Sequence, residues 1–199
     1  MTLDLWHIHL CFALLAFLLL PLGGLSRSLQ GLALTGLLAL GFAPVGELSL
    51  ALYLRTLIPE PSIVGLLGLA WATLVRMKLA VSLPSRQRLT LLTLFGALGL
   101  FLYPAALGIG PFDPYRLGFS PRPMILIVGL LALVLLLLRN MLGALMLTLA
   151  TLAFGLSALA SNNYWDYLLD PFVAVYCWFA LFGYGVGRLR RPSSQELVR

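Results

Sequence analysis

The stretch SNNYWDYLLDP, residues 161–171, gathers two carboxylates, two amides and three large aromatic side chains within an otherwise apolar chain. Asp170 precedes Pro171, which is the pattern of a helix N-cap followed by the first helical residue. Asp166 has no such structural role and stands close to the amide of Asn163. If the stretch forms a short helix, Asn163, Asp166 and Asp170 share one face. We therefore expect Asp166 to be the strongest candidate for acid–base chemistry or recognition.

Further residues that could do chemistry are dispersed along the chain. Asp113, Glu47 and His7 are the other candidates for a general base, although an exposed interfacial histidine is the commoner role for a residue such as His7. The candidates for binding a phosphate-bearing substrate or a partner are three arginines and several polar and aromatic side chains of residues 161–171. The aromatic side chains also fit the aromatic belt of a membrane boundary. The binding candidates are Arg55, Arg116, Arg122, Asn163, Tyr164, Trp165 and Asp170.

No metal site and no cofactor are predicted. His7 and His9 do not share a helical face, and Cys11 and Cys177 stand alone inside apolar runs without a CxxC pair. The chain contains no phosphate-binding loop, HExxH or GxSxG motif. An enzymatic function would therefore depend on the carboxylates and arginines alone.

The elements that position these residues are predicted to be membrane helices. The chain is 61% hydrophobic and only 10% charged, with a mean hydropathy of +1.00, which is typical of integral membrane proteins. We predict an all-α integral membrane protein, a single polytopic domain over 1–199, built as a compact bundle of about seven transmembrane helices, with six to eight also compatible with the sequence. The predicted spans are 5–20, 29–46, 62–75, 89–107, 123–138, 141–160 and 172–187.

The basic residues test this partition, because loops rich in lysine and arginine stay cytoplasmic. With the N-terminus outside and the C-terminus cytoplasmic, the inner face collects Arg27, Arg76, Lys78, Arg86, Arg88, Arg139, Arg188, Arg190, Arg191 and Arg199. The outer face holds three arginines and every acid except Glu196, namely Asp4, Glu47, Glu60, Asp113, Asp166 and Asp170. The sorting requires a tight hairpin at Arg139 and Asn140, with Asn140 in the left-handed turn position, because a single helix over 124–160 would measure roughly 55 Å.

Three outer segments carry most of the candidate residues. Near 47–59 we predict a short interfacial or re-entrant segment after a kink at Pro44, with Glu47 and Arg55 on one helical side. An outer loop spans 108–123, in which Asp113 starts a helical turn and Arg116 pairs with Asp113 or with an incoming anion. A short outer helix is predicted over 162–169.

Three functional classes fit this pattern. The favoured prediction is a multi-pass accessory or assembly subunit of the inner (plasma) membrane, which docks a membrane or periplasmic partner through its acidic, arginine- and aromatic-containing outer face. The alternatives are an outer-leaflet enzyme acting on a lipid or lipid-linked phosphate-bearing substrate, and a small transporter or lipid flippase. The net charge of +6 follows from topology, so membrane lipids are expected partners and nucleic acid is not. The spans have no ionisable residue at their centres, which argues against a proton-driven pump.

Overall fold

The computed structural model describes residues 5–57, 60–108 and 113–189, and over these the chain is all-α apart from one small hairpin. The helices are α1 (Trp6–Leu19), α2 (Arg27–Gly41), α3 (Leu50–Leu57), α4 (Ile63–Arg76), α5 (Ser85–Ala106), α6 (Pro121–Leu137), α7 (Met141–Gly155), α8 (Trp165–Leu168) and α9 (Pro171–Leu189). Two short 3-10 helices cover Leu22–Gly24 and Pro114–Phe119. Strands β1 (Pro44–Val45) and β2 (Leu48–Ser49) pair antiparallel, with Pro44 opposite Ser49.

Each predicted span corresponds to one long helix, but the prediction of seven full-length spans is not supported. In the part of the chain that the structure describes, one helix is long and apolar enough to cross a membrane, over Ser85–Ala105. The shorter apolar helices are Trp6–Leu19, Ile63–Arg76, Pro121–Leu137, Met141–Gly155 and Pro171–Gly187. Helices of 14 to 17 residues measure roughly 21–26 Å, which is less than the ~30 Å hydrocarbon core.

Three helices end in the same backbone motif, in which a residue other than glycine adopts a left-handed conformation. Lys78, Arg139 and Ser157 follow α4, α6 and α7 with φ of 57°, 57° and 52°. After α7, Ser157 N donates to Phe154 O at 3.0 Å and Ala158 N to Ala153 O at 2.9 Å. These are Schellman motifs, which usually have glycine at the left-handed position. Since Ser157 and not glycine occupies the left-handed position after α7, the sequence predicts a helix that continues to residue 160.

The predicted hairpin between α6 and α7 is present, with one correction. Arg139 takes the left-handed conformation, not Asn140. Asn140 is the N-cap of α7, and its side chain accepts a hydrogen bond from Gly143 N at 3.2 Å. The amide is buried and also donates to Gln87 O at 3.0 Å, so the hairpin is tied to the start of α5.

The bundle is built from a few close helix pairs. α5 packs along α9, α6 along α7, and α1 along both α2 and α4. Gly99 lets α5 and α9 approach closely, because a Cβ at this position would lie 2.8 Å from the Cβ of Ala174. The core between the helices is apolar and includes Phe95, Leu147 and Ala174.

Charged groups separate to the two ends of this bundle. At the basic end, which we define by Arg76, Lys78, Arg86, Arg88 and Arg139, the Arg76 guanidinium donates to the backbone carbonyls of Phe17, Leu18 and Leu20. Gln87 Nε2 donates to Arg139 O at 3.0 Å. The opposite, acidic end contains Glu60, Asp166 and Asp170. The charges Asp4, Arg190, Arg191, Glu196 and Arg199 lie outside the described residues.

Candidate functional site

The most extensive polar cluster lies at the acidic end, where the 3-10 helix Pro114–Phe119 packs against residues 161–168. We call residues 113–119 and 161–168 the polar platform. Hydrogen bonds to backbone carbonyls join its two parts: Tyr164 N donates to Gly118 O at 3.0 Å, Asn163 Nδ2 to Tyr115 O at 3.0 Å, and Trp165 Nε1 to Pro114 O at 2.9 Å. The platform is therefore one rigid unit, although its parts are distant in sequence.

Asn163 is the buried centre of this unit. Its Oδ1 accepts from Trp165 N at 2.9 Å, and its own backbone N–H donates to Ser161 Oγ at 3.0 Å. A methyl group added at Gly118 would overlap the Asn163 carboxamide, so glycine permits the close approach. Both ends of the amide are used, which makes Asn163 a structural residue of the platform.

Asp166 receives hydroxyl donors from both parts of the platform. Tyr115 Oη lies 3.1 Å from each carboxylate oxygen, and the Ser161 hydroxyl donates to Oδ2. Burial, and then the Asp166 carboxylate, raise the pKa of Tyr115 to about 12, so the phenol remains a neutral donor near pH 7. Asp166 is half-buried and fixes the 3-10 helix to α8. The strongest predicted acid–base candidate is thus already bonded to protein donors.

Asp170 joins the starts of two helices. Its Oδ1 accepts from Val173 N at 2.9 Å, which confirms the predicted N-cap of α9. Its Oδ2 accepts from Ser62 N at 3.0 Å and from Ser62 Oγ at 2.7 Å, and Ser62 itself caps α4 through Gly65 N. A buried carboxylate at two helix N-termini is stabilised by both sets of free N–H groups and by both helix dipoles.

The predicted common face of Asn163, Asp166 and Asp170 does not form. α8 covers only Trp165–Leu168, since Asn163 Oδ1 accepts from Trp165 N in a turn before the helix and Leu169 after it is extended, with φ −151°. Asn163 lies before this helix and Asp170 after it. The three side chains consequently bind different partners.

The predicted aromatic belt is also wrong for this stretch. Tyr164, Trp165 and Tyr167 are fully or almost fully buried. Tyr164 Oη lies 2.5 Å from Thr151 Oγ1, and Tyr167 Oη donates to Leu159 O at 3.0 Å. Their polar atoms find partners inside the protein, so the rings anchor the platform to α7 instead of marking a boundary.

Glu47 and Arg55 do not share a helical side, contrary to the prediction. Glu47 lies in the turn of the hairpin between β1 and β2, where Gly46 has φ 63°, and α3 begins only at Leu50. Arg55 pairs with Glu60, with 3.0 Å between Nη2 and Oε1. The Arg55 side chain is about half exposed, so this pair has a small effect on stability.

His7 and His9 are buried near the start of α1, not exposed at an interface. His9 stacks on Phe42 with ring centroids 3.9 Å apart, and its nitrogens contact Leu5 O and Ser49 Oγ. Neither nitrogen of His7 has a hydrogen-bond partner among the described residues. Within those same residues, no group of three or more histidine, cysteine, aspartate or glutamate side chains could hold a metal ion.

The outward side of the polar platform carries the exposed candidates. Asp113 caps the 3-10 helix through Tyr115 N at 3.0 Å, as its sequence position predicted. Arg116, Phe119 and Arg122 are exposed, and the predicted Asp113–Arg116 ion pair is not among the salt bridges of residues 5–57, 60–108 and 113–189. We call Asp113, Arg116 and Phe119, together with the adjoining Arg122, the exposed face of the platform. Phe119 was not predicted as a site residue.

The structure therefore divides the candidates into two groups. Asp113, Arg116, Asn163, Tyr164, Trp165 and Asp166 belong to the platform, with Arg122 and Asp170 adjoining it. His7 and Arg55 lie with Glu60 near the β hairpin that contains Glu47, and the electrostatic influence of Glu60 and Arg55 reaches His7.

Comparisons of the chain with protein-family models, curated protein sequences and solved structures find no match.

Proposed function

We propose that this protein is a membrane-embedded accessory subunit that docks a membrane or periplasmic partner through the exposed face of the polar platform. The observation that carries the proposal is Phe119, 59% exposed, which lies three residues along the chain from each of the exposed Arg116 and Arg122; neither arginine has an ion pair among the described residues. Aromatic and arginine side chains are enriched at the centres of protein interfaces. The hydrogen bonds behind them hold this face in one conformation, which lowers the entropic cost of binding.

The membrane location is supported by the apolar exterior of the bundle. Leu126, Leu137, Phe179 and Phe182 on α6 and α9 are each more than 70% exposed. Soluble proteins rarely expose apolar surface of this extent. We infer a multi-pass bundle of α1, α2, α4, α5, α6, α7 and α9 in the inner (plasma) membrane, with the basic end and the C-terminus cytoplasmic and the N-terminus outside.

The short helices are compatible with this location if the bilayer adapts to them. Most of them fall about 4–9 Å short of the ~30 Å hydrocarbon core. Local thinning of the bilayer accommodates such a mismatch at a modest cost in free energy. Arg76 helps at the basic end, because its guanidinium satisfies the carbonyls at the end of α1.

The proposed partner carries carboxylates and an apolar pocket. Arg116 and Arg122 favour a negatively charged surface, and Phe119 between them fills a hydrophobic recess. An outer-leaflet enzyme is the weaker alternative, since the oxygens of Asp166 and Asp170 are bonded to protein donors. A transporter or flippase remains an alternative that requires movement of the bundle.

Site-specific photo-crosslinking in cells tests the docking proposal. A photoreactive phenylalanine analogue at Phe119 is expected to give one discrete protein adduct, identified by mass spectrometry. The same analogue at Phe179, which is exposed on α9, is the matched control and is expected to give none. Absence of a discrete adduct at position 119 would overturn the proposal.

Charge reversal then tests whether the arginines hold the partner. Arg116→Glu with Arg122→Glu is expected to abolish the adduct at Phe119 while the protein inserts normally. Arg86→Glu, at the basic end, is expected to leave the adduct unchanged. An adduct that persists in the double variant would exclude the arginines from the contact.

A further inference from the structure

We propose that a groove through the bundle binds one anionic phospholipid of the cytoplasmic leaflet, with an acyl chain in the groove and the headgroup phosphate on Arg88. This inference rests on the membrane location stated above, but it does not use the polar platform.

The groove is an apolar cavity of about 660 Å³ between α1, α4, α5, α7 and α9. Its walls include Cys11, Leu69, Phe95, Met146 and Cys177. This volume lies within the range of ~300–1,000 Å³ that is usual for small-molecule sites. The lining is therefore suited to a hydrocarbon chain.

The length of the groove also fits an acyl chain. The groove reaches Pro61 and Asp170 at the acidic end and Ser82 and Arg88 at the basic end, and α4 lines it along the way. The 14 residues of α4 measure roughly 21 Å, which exceeds the ~15 Å of hydrocarbon in one leaflet. A single chain can thus lie lengthwise between the helices.

Small residues of α4 keep the groove open. Gly65, Gly68 and Ala72 all line it. Gly68 has only the Met146 methyl group near an added Cβ, at 3.8 Å, so a larger side chain would extend into open groove. Gly68 is therefore the position at which the groove can be filled with least disturbance of the packing.

Polar groups adjoin the groove at its basic mouth. A second cavity of about 290 Å³ shares Arg88 and Leu92 with the groove and is also lined by Ser85 and Tyr184. Arg88 is exposed and has no ion pair among the described residues. A guanidinium with two nearby hydroxyls matches the charge and the acceptor oxygens of a phosphate.

Electrostatics fix which end holds the headgroup. Arg86 and Arg88 both lie in the first turn of α5, where a helix favours negative charge, and no acidic residue accompanies them. An anion bound at this end of the groove neutralises part of the positive charge of Arg86 and Arg88. At the other end of the groove the Asp170 carboxylate repels a phosphate, so the headgroup belongs at the basic end.

The occupant is a lipid chain and not a helix of a partner protein, because an acyl chain suits the apolar lining and an anionic headgroup matches the charge of Arg88.

Native mass spectrometry of the full chain in detergent tests the proposal. With added phosphatidylglycerol we expect one retained lipid per protein, and with phosphatidylcholine at the same concentration we expect much less. Arg88→Gln is expected to lower phosphatidylglycerol retention about tenfold, as for the loss of one charge-assisted contact. Arg86→Gln, which removes a neighbouring charge outside the lining, is the control.

A second pair of variants tests the groove itself. Gly68→Leu is expected to abolish retention, whereas Gly129→Leu, on α6 with no atom within 4 Å of an added Cβ, is expected to retain the lipid. Equal retention in Gly68→Leu and Gly129→Leu, or equal losses in Arg86→Gln and Arg88→Gln, would show only general lipid adhesion and overturn the proposal. The readout is independent of crosslinking at Phe119, so this proposal and the docking proposal fail separately.

Discussion

Asp170 was a candidate binding residue by its sequence context, but in the structure it connects two helices. Its two oxygens accept three hydrogen bonds from the starts of α4 and α9. Asp166 behaves similarly, because its acceptors are used by Tyr115 and Ser161. Single acidic residues in this chain therefore connect segments of the bundle.

Replacement of Asp170 by alanine is expected to lower the free energy of unfolding by about 3 kcal/mol. The change leaves Ser62 without its acceptor and removes the cap of α9, and each such loss costs about 1–2 kcal/mol. Unfolding in mild detergent by added denaturant measures the difference. Asp113→Ala removes an exposed cap and is expected to cost less than about 1 kcal/mol. Equal losses in the two variants would contradict the bridging role.

Tyr115 gives the platform a pH dependence at alkaline pH. Its pKa is raised from about 10 to about 12, by burial first and by Asp166 second. Between these values the unfolded chain loses the phenolic proton and the folded chain keeps it, so stability falls as pH rises through this window. We expect the melting temperature of the wild type to decline more steeply between pH 10 and 12 than that of Tyr115→Phe. Parallel declines would exclude this coupling.

The roles of some individual residues could be predicted from the sequence. Asp113 and Asp170 were predicted as caps because aspartate before proline is a local signal. Ser62 could have been found in the same way, since serine before an apolar run is an N-cap pattern. The Tyr115–Asp166 and Ser62–Asp170 contacts join distant parts of the chain, and no local pattern encodes them.

Whole helices were more predictable than their ends. Apolar runs between charges placed α1, α4, α5, α6, α7 and α9 close to their observed positions. The end of α7 was missed, because Ser157 adopts a left-handed conformation that usually marks glycine. The ends of α4 and α6 were predicted to within one residue. The hairpin after α2 was missed as well, since two-residue strands have no detectable period.

Ser157→Gly is expected to stabilise the protein by about 1 kcal/mol, because glycine removes the left-handed penalty at the end of α7. The melting temperature in detergent measures the gain. Leu156→Gly, one residue earlier with φ −91°, has no such penalty to remove and is expected to destabilise or leave stability unchanged. A loss of stability in Ser157→Gly would show that its side chain contributes more than the backbone conformation costs.

At the scale of the whole molecule, the separation of charge predicts which way the bundle is oriented in the membrane location that we propose. Arg86, Arg88 and Arg139 lie at one end, and Asp166 and Asp170 lie at the other. We expect the basic end to be cytoplasmic, because lysine- and arginine-rich loops are retained there.

Cysteine labelling tests this orientation. Cys11 and Cys177 are both buried and can be replaced by alanine to give a cysteine-free background. A membrane-impermeant maleimide is expected to label Phe119→Cys in intact spheroplasts, and to label Arg86→Cys only after permeabilisation. The reverse pattern would invert the topology, and labelling of both sites without permeabilisation would exclude a membrane-spanning bundle.

The sequence by itself determined the all-α class, the places of the long helices and the separation of basic from acidic connecting segments. These three properties depend on local composition and on the lengths of apolar runs, and both can be read from one sequence. Only the tertiary structure decided that Asp166, Asn163 and Asp170 hold the bundle together, that Phe119 and Arg116 are exposed, and that a groove ends at Arg88. Those features arise where segments distant in sequence pack against each other, and burial and hydrogen bonding across such contacts fix which side chains remain free.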